Sequence, residues 1–170
     1  MKYLGNYSDW IKQEYVDYML ANEGTPRPAG GRNPNTEEFK QALKHGYDLS
    51  QVYWYIFEID TFPFDIKMPI EDNNDECLWW GIKMNPGNFM PIHRDPHTYD
   101  PNLYDVRRYW LALHDWEPGH IFMYEDQVLV NYKKGDMYSY TDPQAIHCAC
   151  NIGNTPRLTF HFSTYIKKTS

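Results

Sequence analysis

The chain has 170 residues, a formal net charge of −7 and 17% aromatic side chains, a length that suits one domain with a substantial core. The acidic balance and the lack of a basic stripe disfavour a nucleic-acid partner, although Arg107–Arg108 and Lys133–Lys134 form local basic pairs. Three cysteines (Cys77, Cys148 and Cys150) at no framework spacing point to a reducing, cytoplasmic setting, and the absence of a long apolar run makes secretion and membrane spanning unexpected.

Taken in chain order, residues 8–22 place Trp10, Ile11, Tyr15, Tyr18 and Met19 near helical spacing, with Ser8 as the expected N-cap. Gly24 to Asn35 is rich in Pro and Gly and reads as a loop. Asn35 with Glu38 resembles a capping box, opening a short helix through Leu43 that stops at Gly46. Residues 51–59 are β-prone and almost continuously apolar, the pattern of a buried strand. Thr61 to Asp75 is a connection. From Cys77 onward, short strands follow one another between turn signals: about 78–84, 89–93, 107–114, 119–124, 127–131, 136–140, 144–151 and 157–166. Eight strands without intervening helices predict a mainly β jelly roll of two facing antiparallel sheets. Residues 1–75 form an N-terminal buttress whose helices pack on one sheet, and 76–168 form the core of the same single domain.

The segment Pro91-Ile92-His93-Arg94-Asp95-Pro96 carries the strongest chemical signal. On an extended segment His93 and Asp95 point to one face, because strand side chains alternate. His147 opens a β-prone run farther along and supplies a third donor. Two imidazoles and one carboxylate on one face of an octahedral metal leave three positions open, the arrangement of non-haem Fe(II) oxygenases. Taken singly, His-x-Asp is more often a turn or a surface hydrogen bond, and a lone His147 a satisfied core histidine. The third element raises the assignment: Arg157 and Thr159 share a strand face, with Leu158, Phe160 and Phe162 on the other. A guanidinium beside a hydroxyl makes a grip for a carboxylate.

The order His93-x-Asp95, His147, Arg157-x-Thr159 on short strands resembles the Fe(II)/2-oxoglutarate-dependent oxygenases. Gly135-Asp136 ahead of a strand and Asn151-Ile-Gly-Asn before the arginine are similar to the prolyl and aspartyl/asparaginyl hydroxylase branches. The likeness spans about 78–166. It implies a double-stranded β-helix of the cupin type, with iron held by His93, Asp95 and His147. It also implies 2-oxoglutarate chelating that iron, its far carboxylate paired with Arg157 and hydrogen-bonded by Thr159. Tyr109, on the strand carrying Arg107 to Leu113, is the expected aromatic contact to the cosubstrate. The implied activity is hydroxylation of a protein side chain (Pro or Asp/Asn) or of a small molecule, so the expected partner is a peptide or metabolite. The alternative is a non-catalytic cupin-like metal- or ligand-binding module, and beyond it a plain jelly roll.

Other motifs carry less. His93-x-x-x-His97 would need a helix that Pro91 and Pro96 forbid. Cys148 and Cys150 alternate away from His147 and read as small buried apolar side chains. His45, His114, His120 and His161 show no ligand spacing, although His161 shares parity with Arg157. Loops 24–35, 61–75 and 99–104 are the expected seat of substrate selection.

Overall fold

The computed structural model describes residues 1–28, 37–50, 53–72, 74–95, 100, 102–140 and 145–168. Among these, eleven strands form two sheets. In chain order they are β1 (Lys2–Asn6), β2 (Thr25–Pro28), β3 (Tyr53–Phe57), β4 (Glu76–Met84), β5 (Phe89–His93), β6 (Tyr104–Ala112), β7 (His120–Tyr124), β8 (Gln127–Leu129), β9 (Asp136–Tyr140), β10 (His147–Asn151) and β11 (Arg157–Lys167). Helix α1 spans Gln13–Ala21 and α2 spans Glu37–Lys44.

The seven-stranded sheet runs β1-β9-β6-β11-β4-β3-β2, and the four-stranded sheet β5-β10-β7-β8. From β4 to β11 the chain therefore steps between the sheets at every connection except the β7–β8 hairpin. That winding of antiparallel strands is a double-stranded β-helix. The strand positions read from the sequence match β4 to β11 closely, because the strands are short, β-prone and separated by turn residues.

Alternation along β11 organises the packing. Leu158, Phe160 and Phe162 face outward, into a core with Tyr15, Met19, Phe57 and Phe62. Arg157, Thr159, His161, Ser163 and Tyr165 face between the sheets, where Trp110, Ile82, Phe122 and Tyr140 form a second core. Helix α1 lies on the outer face of the larger sheet, as expected of a buttress. Its C-terminal carbonyls are held by Lys83, whose Nζ donates to Leu20 O at 3.0 Å and Asn22 O at 2.8 Å. The N-terminal segment closes against Gly135 (φ +89°), where an added Cβ would lie 2.2 Å from Ser8 N, so only glycine fits this approach.

Several expectations need correction. Lys2–Asn6 forms an edge strand that its short polar sequence did not announce. Ser8 opens a short 3-10 helix, and α1 begins only at Gln13 with Lys12 at its cap and no side-chain capping bond. Thr25–Pro28 is a strand, not loop; its prolines are tolerated because β2 is the sheet edge. Helix α2 does not sit on the larger sheet but packs beside β5, with Phe39 stacked 5.8 Å from the His93 ring. The 61–75 connection lies across the outer face, where Asp72 accepts hydrogen bonds from Tyr109, Arg107 and Thr164. Cys148 and Cys150 are half-buried on the outer face of the smaller sheet. The Asn35 cap and His97 lie outside the described residues, as do residues 99 and 101 of the 99–104 loop.

Phe160 is fully buried in the outer core, and Phe160→Ala should cost about 3–5 kcal/mol. The urea midpoint should fall accordingly while any metal affinity of the His93, Asp95 and His147 group stays unchanged, because the outer core does not touch those residues. Loss of metal binding in a folded Phe160→Ala protein would contradict that separation.

Candidate metal centre and anion cage

His93 ends β5 and His147 opens β10, and the two residues are direct partners across the antiparallel pair. Their rings are 4.2 Å apart between centroids. Asp95, just past β5, reaches both: Oδ1 lies 3.6 Å from His93 Nε2, and Oδ2 lies 3.5 Å from His147 Nε2. The structure thus brings together the three residues expected from the sequence, with ligand atoms all within 4.8 Å of one another. Cis donors on a metal with bonds of about 2.1 Å sit ~3 Å apart, so modest side-chain rotation would bring the trio to ligand distance.

The surroundings prepare both imidazoles for a cation. His93 Nδ1 donates to Pro91 O at 2.8 Å and His147 Nδ1 to Ala145 O at 3.0 Å, each to the carbonyl two residues earlier. These bonds select the tautomer that leaves Nε2 with a free lone pair. Burial lowers the pKa of His93, and burial together with neighbouring His93 pushes His147 down to about 3. Both rings are therefore neutral, as ligation requires. Arg108 Nη1 donates to Asp95 Oδ2 and fixes the carboxylate.

Deeper between the sheets, Arg157 is 1% exposed. Its Nη1 meets Met84 Sδ at 3.4 Å and the Tyr132 hydroxyl faces the guanidinium, but its Nε and Nη2 have no partner within hydrogen-bond distance. Trp110 Nε1, Tyr132 Oη and His120 Nδ1 are likewise buried and unpartnered among the described residues. The Arg157 guanidinium carbon lies 5.7 Å from the Trp110 ring, and the Trp110 and Tyr132 rings are 4.9 Å apart. The unpartnered donors of Arg157, Trp110 and Tyr132 make a cage that an anion would fill, whereas His120, whose Nε2 donates to Thr155 O at 2.9 Å, presents only an Nδ1 lone pair and takes no part in it. Phe122 stands between the cage and the trio, 5.9 Å from the guanidinium and 6.3 Å from the His147 ring. Thr159 shares the inward face, its Oγ1 3.1 Å from His161 Nε2.

Tyr109 is not in this site. The β6–β11 register turns Arg108, Trp110 and Ala112 inward and Tyr109 outward. Its hydroxyl donates to Asp72 at 2.5 Å, and burial with that bond raises its pKa to about 12. Parity alone could not decide which face of β6 looks inward; pairing with the Arg157 strand does. The sequence also left Trp110 to packing and gave no signal for Tyr132, which sits in a loop. His161, left unassigned, is buried in the cavity wall and stacked 5.8 Å from Trp80.

The trio opens into a cavity of about 570 Å³, walled by Trp54, Trp79, Trp80, Ile56 and Tyr140 with Arg27, Glu58 and Asp60 near its outer part. No helix among the described residues is long and apolar enough to cross a membrane.

No family model matches the sequence, and no curated protein matches it. Over part of its length the chain is similar to several solved structures. A predicted oxalate decarboxylase from Thermotoga maritima is 19% identical, the match covering 52% of this chain and 66% of that one at a TM-score of 0.39. An uncharacterized conserved protein with a double-stranded β-helix domain from Klebsiella pneumoniae is 15% identical, over 59% and 80% of the two chains, at 0.38. A Cupin 2 conserved barrel domain protein from Salinispora arenicola is 11% identical, over 65% and 75%, at 0.41. The double-stranded β-helix of this chain rests on its own strand order.

Four buried histidines, His93, His120, His147 and His161, and the half-buried His114 have lowered pKa values, with desolvation the largest cause in each. An unfolded chain protonates them near 6.5, whereas folded His147 waits until about 3. Between those limits the unfolded state binds more protons, so stability falls as pH falls. The urea midpoint of metal-free protein should drop as the pH is lowered from 6.5 toward 3, and His161→Gln should make the decline shallower. A midpoint flat across that window would contradict the burial of neutral histidines.

Proposed function

We propose that the protein is a non-haem Fe(II)- and 2-oxoglutarate-dependent dioxygenase that hydroxylates its substrate. The observation that carries this reading is the Arg157 cage: a buried guanidinium with two unpartnered N–H groups, on the inward face of the strand next to the trio's cavity. A module that only bound a metal would have no use for such a cage, and leaving it unfilled costs free energy.

His93, Asp95 and His147 would hold iron, a donor set of two imidazoles and one carboxylate that suits Fe(II). Arg157, with Tyr132 and Trp110 beside it, would grip the far carboxylate of 2-oxoglutarate, and Thr159 would add a hydroxyl along the same face. Bound iron and 2-oxoglutarate supply activation of dioxygen, coupled to oxidative decarboxylation of the cosubstrate. The chain's own residues do the positioning. The Pro91 and Ala145 carbonyls aim the two Nε2 atoms, Arg108 steadies Asp95, and Phe122 walls the space between trio and cage. The Trp and Phe side chains around the guanidinium exclude water, which strengthens each hydrogen bond made there.

The reading is tested by succinate formation from 2-oxoglutarate in the presence of Fe(II), ascorbate and dioxygen. Wild-type protein should form succinate above the level of iron alone. Arg157→Met should weaken 2-oxoglutarate binding by about 10–100-fold, the worth of charged hydrogen bonds in a dry site, with Mn(II) affinity unchanged. If folded wild-type protein neither binds 2-oxoglutarate nor forms succinate, the non-catalytic binding module replaces the oxygenase reading.

A further inference from the structure

Arg108 is a second buried guanidinium, and anchoring Asp95 does not use it up. It is 7% exposed, lines the cavity beside the trio, and its Nε has no partner. Its cross-strand partner on the inward face of β11 is Ser163, which is fully buried and whose Oγ is also unpartnered. Two unsatisfied polar groups thus adjoin at the Asp95 side of the site, two residues along β11 from His161, while Arg157 lies two residues beyond Thr159 at the other end. A positioning role for Arg108 accounts for its Nη1 alone.

We infer that Arg108, with Ser163, is the anchor for a carboxylate on the primary substrate, and that this substrate is a small organic acid with a flat apolar body. The inference rests on the oxygenase reading above. Charge supports it. Among the cavity-lining cations, Arg27 pairs with Glu58 at 3.4 Å and Arg94 with Glu38 at 3.0 Å. Asp60 lines the cavity but is exposed, so among the described buried groups a divalent ion, Asp95, Arg108, Arg157 and a dianionic cosubstrate together leave one positive charge uncompensated. An anionic substrate removes that imbalance; a neutral one leaves a costly buried charge. Shape supports it too. The cavity of about 570 Å³ is of the size that encloses small ligands, and Trp54 and Trp80 line it with flat apolar surface.

The test is calorimetry on the Mn(II)-loaded protein with 2-oxoglutarate, oxygen excluded. Three probe acids, 3-phenylpropionate, indole-3-acetate and cyclohexanecarboxylate, are each compared with the corresponding primary amide. At least one acid should bind about tenfold or more tightly than its amide. That preference should vanish in Arg108→Gln and survive in Arg27→Gln. Because Arg108→Gln also loosens Asp95, Ser163→Ala is the companion variant: it should weaken the acid preference without changing Mn(II) affinity. No acid preferred over its amide, or a preference that survives both Arg108→Gln and Ser163→Ala, overturns the anchor and leaves Arg108 as a positioning residue for Asp95. The 2-oxoglutarate titration before each run reads the cosubstrate site separately, so failure there is distinct from failure of the anchor.

Discussion

A guanidinium buried without a counter-charge is the constraint around which the inner half of this fold is arranged. Arg157 is almost wholly removed from water, yet its neighbours are Met84, Trp110 and Phe122 rather than a carboxylate. Desolvation of that kind works directly against the charged form, and each unmade hydrogen bond adds roughly 1–3 kcal/mol. Packing alone would favour a methionine or leucine at this position. The fold sustains the cost through the outward half of the same strand. Leu158, Phe160 and Phe162 seat β11 against α1 and the 58–70 segment, and β4 and β6 pair with it on both sides.

The candidate metal-binding trio follows from the winding of the β-helix. A His at the end of β5 and a His at the start of β10 meet only because those strands are antiparallel neighbours in the smaller sheet. Asp95 then needs only the turn after β5 to reach both. Each Nδ1 is tied to the carbonyl two residues earlier, so the backbone that places the rings also sets their tautomers. Site and fold are specified by the same hydrogen bonds, which is why a rigid two-sheet scaffold suits this kind of centre.

Much of this was legible in the sequence wherever local patterns carry the information. The strands from β4 to β11 stand out through period-two alternation and bounding turn residues. The convergence of His93, Asp95 and His147 was foreshadowed by their spacing, and the shared face of Arg157 and Thr159 by parity. What was not legible depended on long-range pairing. Tyr109 and Arg108 are adjacent and equally β-prone, and only the register of β6 against β11 shows which enters the site. Tyr132 arrives from a loop with no periodicity. Thr25–Pro28 looks like loop because its prolines break helices, yet an edge strand accepts them once β3 offers a partner. Glu37–Lys44 has a helical pattern, but nothing local says that Phe39 will stack on His93.

The central claim is that the trio and the Arg157 cage serve one bound ligand, and the most direct measurement is optical. Fe(II) followed by 2-oxoglutarate is titrated into metal-free protein under anaerobic conditions, and the weak visible charge-transfer band of an iron–2-oxo acid chelate is recorded. A band that forms in wild-type protein, is absent in His93→Ala and needs much higher 2-oxoglutarate in Arg157→Met is the result this account predicts. A folded wild-type protein that takes up iron but shows no band at any 2-oxoglutarate concentration would contradict it.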